Sequence, residues 1–331
     1  MRGLGRYVTF FCLLAASGIP AHANDSSARL EIGGLQLTTN ADIEMQEEDL
    51  FLSRNEVRVR YKFFNKSSKP IETLVAFPLP EIETGEGGNY IVQSADPVNF
   101  IGFGVKVDGQ PVQTSIEARA TSMGVDVTHL LKEYNIPITT IAPSNDKSSP
   151  VYDLLNKLPE EAVQKLERYG AVDRLSSSRP DSKPDVSPRW TAHITFYWFQ
   201  TFPAGRAIEV THRYRPVPRS FFTSVNELAG ADMRRSHCVT GEFIGAAKRR
   251  ERTGTLKGLD LRYITSTAGN WAGPIGTFNL TVEKDNADDL WASCFKGLRA
   301  TGPKTLSLQR KDAQSLDDIA ILFVTSFSSA D

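Results

Sequence analysis

Apolar and polar residues alternate along much of this chain with a period of two, which is the spacing of side chains on the two faces of a β-strand. The clearest case is residues 56–63, where Val57, Val59, Tyr61 and Phe63 alternate with charged side chains. This pattern predicts a strand with one face in a core and the other in water. Antiparallel sheets with one wet face are typical of sandwiches and barrels rather than parallel α/β sheets.

Turn signals separate the predicted strands. The polar segment 65–70 lies between this strand and a second one at 71–77, and the arrangement predicts an antiparallel pair. Asp108-Gly109 interrupts the alternating segment 100–112 and predicts a hairpin with a two-residue turn.

The apolar spacing becomes helical after residue 126. Asp126 is placed to cap a first short helix, and Pro150 and Pro159 stand where first helical residues are expected. Gly170 is placed to end the last of these helices. We therefore predict a helical insertion at 126–173.

Alternation resumes at Trp190, with strands at 192–198 and 208–214 on either side of a Pro-Ala-Gly turn. If these two strands were neighbours, His193 and His212 could meet across them. Further strands are predicted around 259–264, 276–282 and 319–324, and the last of these is almost continuously apolar.

The length of 331 residues exceeds a comfortable single core, so two domains are expected. We predict a mainly β fold with two antiparallel β-sandwich-like domains and a helical insertion. The predicted boundaries are a signal peptide at 1–23, a first domain at 24–125, the insertion at 126–173, a linker or exposed loop at 174–189 and a second β-rich domain at 190–331.

The N-terminus predicts export. Arg2 and Arg6 precede an apolar run at 7–16 that is too short to span a bilayer, and a small-x-small site places the cleavage between Ala23 and Asn24. This is the pattern of a secretory signal peptide. We expect a soluble periplasmic protein without a transmembrane segment after signal removal.

The cysteine count agrees with export. Cys12 lies in the apolar core of the signal and would be lost with it, which leaves Cys238 and Cys294. An even pair in an oxidising compartment predicts one disulfide bond. The alternative is two buried free thiols.

Charge narrows the range of partners. The chain has 38 Lys and Arg against 39 Asp and Glu, and loss of Arg2 and Arg6 makes its formal net charge more negative. A global attraction to nucleic acid is therefore excluded. Locally, residues 211–252 hold nine basic and four acidic side chains. This surface would suit an anionic lipid, a glycan or an acidic partner, or it is a solvated face; the candidate residues are Arg213, Arg215, Lys248, Arg249 and Arg250.

Trp271 is the aromatic candidate, because it lies in a Gly-rich loop. Such a residue either anchors a partner or plugs the end of a sandwich.

Motifs of catalysis and metal binding are missing from the sequence. It has no His-Glu-x-x-His pattern, no Gly-x-Ser-x-Gly elbow and no phosphate loop. No cofactor and no metal site are predicted, and a catalytic role is disfavoured. His212 is interpreted as a core histidine, although a site assembled around His212, His193 and Glu209 stays open. Glu209 weakens that grouping, because it points to the opposite face of its strand from His212.

Several segments together resemble a known family. They are 24–28, 56–61, 75–80, 202–205, 212–214 and 270–276. The chain is similar over nearly its whole mature length to a bacterial family of exported proteins catalogued as domain of unknown function 4424. This resemblance implies a location and an architecture but no activity. Residues 50–135 are also similar, at the level of fold only, to the β-sandwich domain of vault and inter-alpha-trypsin proteins.

We therefore predict a non-catalytic binding or interaction protein of the cell envelope, with an unknown protein, glycan or lipid partner. Two alternatives stay open. One is an envelope hydrolase with a site around His212 and His193. The other is a carrier that holds an apolar small molecule between its sheets.

Overall fold

The computed structural model describes residues 26–31, 34–85, 96, 99–138, 150–175, 184–314 and 316–327. The predicted signal peptide with its cleavage site at Ala23 and Asn24, and residues 176–183 of the predicted linker, lie outside the described residues. Within these ranges the protein is mainly β, as the sequence predicted, with several antiparallel sheets and six helices.

Two large sheets form the body of the protein. Sheet I contains β1 (Ser26–Glu31), β2 (Gly34–Thr38), β5 (Ile71–Pro78), β6 (Ile82–Glu83), β9 (Ser115–Ser122), β10 (Val125–Asp126) and β13 (Thr191–Phe202). They pair in the order β10-β9-β13-β5-β1-β2, and β6 pairs with β13.

Sheet II contains β3 (Ile43–Leu52), β4 (Val57–Asn65), β7 (Gly104–Val107), β8 (Gln110–Val112), β14 (Ala207–Tyr214), β17 (Ile275–Glu283), β19 (Arg299–Ala300) and β20 (Thr305–Ala313). Their order is β19-β20-β17-β3-β4-β14-β7-β8, and only β17 and β3 are parallel among the described pairs of this sheet.

Smaller elements complete the described part of the chain. Sheet III has the order β15-β16-β21-β18, formed by β15 (Arg219–Thr223), β16 (Thr255–Tyr263), β18 (Leu290–Ala292) and β21 (Ile319–Phe327). A ribbon joins β11 (Val172–Leu175) to β12 (Asp185–Pro188) within and beside the predicted linker. The helices are α1 (Thr128–Glu133), α2 (Pro150–Lys157), α3 (Glu160–Arg168), α4 (Val225–Leu228), α5 (Ala231–His237) and α6 (Gly241–Glu251).

Helices α1 to α3 lie within the segment 126–173 that was predicted as a helical insertion, and β11 begins inside its C-terminal end. Pro150 is the first residue of α2, Pro159 is the N-cap of α3, and Gly170 adopts a φ of +67° just after α3. Helices α4 to α6 were not predicted, because the basic region containing them was interpreted as loop and strand. They bury Leu228, Phe243 and Ala247 against sheet III.

One predicted strand pair is wrong, and a second pairing that the sequence left open is absent. β4 and β5 follow each other in the chain but lie in opposite sheets, and so do β13 and β14. The segments between them are arches that carry the chain from one sheet to the other rather than hairpin turns. The Asp108-Gly109 hairpin is confirmed, since β7 pairs with β8 on either side of it.

Sheets I and II face each other across an aromatic core. Its centre is His212 of β14, whose ring lies 5.1 Å from that of Phe77 and 5.3 Å from that of Trp198. Phe103 and Phe196 stack nearby at 4.4 Å. Burying each ring of this size stabilises the fold by roughly 1.5–3 kcal/mol. Side chains therefore fill this part of the space in which an apolar ligand would have to lie.

The predicted disulfide is present. Cys238 and Cys294 are bonded, with Cα atoms 4.9 Å apart, and the bond joins the end of α5 to the segment after β18. Among the residues described here, no helix has the length and apolar composition that crossing a membrane requires.

Candidate functional site

An open groove of about 1240 Å³ lies on the outer face of sheet II. Strands β17, β3, β4, β14 and β7 form its floor. The period-two pattern explains this placement: Val57, Val59 and Tyr61 of β4 are buried, so Arg58 and Arg60 face outward. The strands whose apolar side chains fill the core on one face thus present polar side chains on the other face.

Arg60 is the fixed centre of the groove floor. Its Nε donates to Asp49 Oδ2 at 2.9 Å, and its guanidinium lies 3.0 Å from Glu47 and 3.5 Å from Glu209. The hydrogen bond to Asp49 raises the pKa of Arg60 further above its ordinary value, although partial burial opposes this. Asn279 Nδ2 also donates to Asp49, at 2.6 Å. Three carboxylates therefore surround this arginine and hold it in place.

The next row of outward side chains is basic. Arg58 of β4 stands directly opposite Arg213 of β14 in the strand register. Glu56 lies between them: Arg58 Nε is 3.4 Å from its Oε2, and Arg213 Nε contacts its Oε1 without the alignment of a hydrogen bond. The Arg58 guanidinium also covers the ring of Phe51, 4.3 Å from the ring centre. The single carboxylate of Glu56 thus contacts two arginines.

β7 supplies the far wall of the groove. Lys106 is exposed and, among the residues that the structure describes, has no ion-pair partner; it is in register with Thr211. Gly104 is in register with Arg213, and a Cβ built on it would have no atom within 4 Å. The groove is therefore open beside the two arginines.

The predicted basic residues are divided between two parts of the fold. Arg213 and Arg215 line the groove. Lys248, Arg249 and Arg250 lie on α6, which packs against sheet III, and Arg250 contacts Asp288. The basic residues grouped by the sequence analysis therefore lie on two separate elements and do not form one surface.

Arg58, Lys106 and Gly104 were not singled out as site residues in the sequence analysis. Arg58 belonged to the wet face of the predicted strand 56–63, and Gly104 was one of a pair of glycines near the Asp108-Gly109 hairpin. The signal that could have found them is the outward face shared by β4 and β14. Recognising this shared face requires knowing that residue 58 is paired with residue 213, and that register could not be predicted from the sequence.

Trp271 is buried. Only 4% of it is exposed, and its ring centre lies 4.9 Å from that of Phe63 and 5.9 Å from that of Phe202. Trp271 therefore packs among core side chains and does not stand on the surface, where an anchor for a partner would have to be. Any role in binding would have to act through the core.

The possible contact between His193 and His212 is absent from the structure. β13 and β14 lie in different sheets, His212 faces the core, and His193 lies on the outer face of sheet I. There its ring is 2.8 Å from Thr121 Oγ1 and 3.4 Å from Glu81. Glu209 is on the opposite face of β14 from His212, beside Arg60.

A second polar cluster joins α5 to sheet III. His237 Nε2 lies 3.1 Å from Asp260 Oδ1, and Ser236 Oγ lies 2.8 Å from His237 Nδ1. Burial acts to raise the pKa of Asp260, but the hydrogen bond to His237 and the charge of Arg262 outweigh it and lower that pKa. The pair is almost fully buried and anchors the helix. Within the described ranges, no three His, Cys, Asp or Glu side chains are grouped so that they could hold a metal ion.

Comparison with known proteins identifies a family. The model of a family described as "Domain of unknown function (DUF4424)" matches residues 23–322. No curated protein matches the sequence. Among solved structures, the fold is similar to one described as a "putative nutrient binding protein" from Legionella pneumophila subsp. pneumophila, at 11% identity and a TM-score of 0.42, covering 92% of this chain and 70% of that one. A TM-score this low carries no functional information.

Proposed function

The chain belongs to the family described as domain of unknown function 4424, and we propose that it is a soluble, non-catalytic binding protein of the cell envelope. Its ligand lies in the groove on the outer face of sheet II. The observation that carries this proposal is the groove itself, about 1240 Å³ in volume, with a floor fixed by the Arg60 network.

The chemistry of the groove supports binding rather than a reaction. It is lined by guanidinium, ammonium, amide and hydroxyl groups, and its two lining carboxylates, Asp49 and Glu56, are paired with arginines. Arginine keeps its proton at any physiological pH, so it positions a ligand and stabilises charge but does not shuttle protons. Strands also hold such groups more precisely than loops do.

Two features of the chain support the proposed location in the periplasm. The first 23 residues have the charge, the apolar run and the small-residue site of a secretory signal. The Cys238–Cys294 bond is of the kind that persists in an oxidising compartment.

Filling the groove tests the function. Gly104→Trp places an indole ring beside Arg213, where an added Cβ meets no atom. Native mass spectrometry of protein incubated with a bacterial periplasmic extract is expected to show a bound ligand on the unmodified chain and none on this variant. Gly241→Trp, at the exposed first residue of α6, where an added Cβ is equally unobstructed, is the matched control and is expected to retain the ligand. Equal ligand retention by all three proteins would contradict the assignment of the groove.

A further inference from the structure

Resting on the proposed function, we infer that the ligand of the groove carries a single phosphoryl group, which binds between Arg58, Arg213 and Lys106. These side chains come from three adjacent strands, β4, β14 and β7. Neighbouring strands lie about 4.8 Å apart, so all three cationic groups can reach one small anion.

The first argument is an excess of positive charge in one place. Like charges directly opposite each other destabilise a sheet, yet Arg58 and Arg213 are paired in register. Glu56 is the single carboxylate that contacts both. Lys106 lies diagonally from Arg213, at a spacing of about 7–8 Å that long side chains bridge. Three cations with one shared acid leave a surplus of two positive charges.

The second argument is that hydrogen-bond donors remain available. Arg58 and Arg213 approach Glu56 through Nε, and a guanidinium carries five N–H donors. The side chain of Arg213 is 79% exposed, and that of Arg58 is 55% exposed. Both residues line the groove together with Gly104, so their terminal nitrogens are accessible to a ligand there.

The third argument selects the class of anion. A carboxylate is planar and singly charged, and one arginine fork satisfies it. Donors that converge from three strands with a surplus of two charges match a tetrahedral phosphomonoester dianion better. A polyanion is disfavoured, because Glu47, Asp49 and Glu209 surround Arg60 in the neighbouring row and would repel further phosphates.

Isothermal titration calorimetry with glycerol 3-phosphate tests the inference, with acetate as the planar, singly charged comparison. The unmodified protein is expected to bind glycerol 3-phosphate at least about tenfold more tightly than acetate. Arg213→Met and Lys106→Met are each expected to weaken this binding about tenfold, the change that 1.4 kcal/mol of lost interaction gives. Lys62→Met, on the same outer face of β4 but outside the groove lining, is the matched control and should change affinity less than twofold.

Vesicle flotation separates the two sources of a phosphomonoester. Phosphatidylcholine vesicles with and without phosphatidic acid are used as probes. Flotation only with phosphatidic acid assigns a lipid headgroup, whereas calorimetric binding without flotation assigns a soluble ester; both support phosphoryl recognition.

Three results would overturn the inference: no binding of glycerol 3-phosphate, equal binding of acetate, or binding unchanged in Arg213→Met and Lys106→Met. If any of these occurs while Gly104→Trp still removes the ligand captured from the extract, the groove binds a different chemical class and the proposed function stands. If Gly104→Trp retains that ligand, the proposed function itself is wrong.

Discussion

Asp126 links the start of the helical insertion to sheet I. Its Oδ1 accepts the N–H of Thr128 at 2.8 Å, and its Oδ2 accepts a bond from Arg119 Nη2 at 2.7 Å. Partial burial acts to raise the pKa of Asp126, but the Thr128 hydrogen bonds and the Arg119 charge outweigh it and lower that pKa to about 2. Asp126 therefore accepts the N–H of the first residue of α1, but the N-cap of that helix is Val127, one residue after the predicted cap.

The lowered pKa of Asp126 predicts a pH-dependent contribution to stability. The contribution is fully present above the ordinary carboxyl pKa near 4 and is lost as the pH falls through about 2. Because the side chain is 41% exposed, solvent screening reduces the contribution to about 1 kcal/mol. Asp126→Asn should therefore destabilise the protein by about 1 kcal/mol at pH 7 and by almost nothing at pH 2 in denaturant unfolding. Asp317→Asn, at an exposed carboxyl, is the control; an equal loss at both pH values would contradict the assignment.

At the scale of elements, one buried asparagine joins the two arches. Asn65 ends β4, and its Nδ2 donates to the carbonyls of Lys69 and Phe202, each at 2.9 Å. Its backbone carbonyl accepts the N–H of Gly205 at 3.0 Å. The arch between β4 and β5 is therefore hydrogen-bonded to the arch between β13 and β14.

Asn65→Asp is predicted to loosen both arches. The introduced carboxylate cannot donate to the two carbonyls and is buried without a cation, so a loss of about 2–4 kcal/mol is expected at pH 7. The loss should be smaller at pH 4, because the protonated carboxyl regains one donor. Urea unfolding followed by tryptophan fluorescence measures it, with Asn226→Asp on the exposed side of α4 as the control. A change below roughly 0.5 kcal/mol, which is the scatter of surface substitutions, would contradict the role of Asn65.

These arches show how far the sequence could predict the fold. Period-two alternation located β4, β13 and β14 and assigned their buried faces, because burial on one face is a local property. β5 was located as a strand without an assigned face, and four consecutive residues of it are buried. The partner of each strand was not predictable, since an arch and a hairpin both use short polar turns. Asp108-Gly109 is the exception, because that dipeptide favours one turn type that fits a two-residue hairpin. Arg213 could be chosen as a candidate site residue from the local excess of basic residues. Its pairing with Arg58 depends on the order of the strands and could not be predicted.

At the scale of the whole molecule, both large sheets combine strands from the two predicted domains. In sheet I, β13 lies between β9 and β5; in sheet II, β14 lies between β4 and β7, and β17 pairs with β3. One continuous core contains Tyr61, Phe196 and Tyr263. The groove likewise needs both predicted domains, because Arg58 comes from one of them and Arg213 from the other.

A fragment of residues 190–331 is therefore predicted not to fold by itself. β13, β14 and β17 would lose their partners β5, β9, β4, β7 and β3, exposing apolar faces that the remaining strands cannot cover. Amide-proton NMR should show a collapsed, poorly dispersed spectrum for this fragment and a dispersed one for residues 24–331. Co-expression of residues 24–175 with 184–331 is the control, since every strand then has its partner, and it should yield a stable complex that binds glycerol 3-phosphate as the whole chain does. A well-dispersed spectrum and cooperative unfolding of 190–331 alone would instead establish it as an independent domain, and the groove would then lie on an interface between two domains.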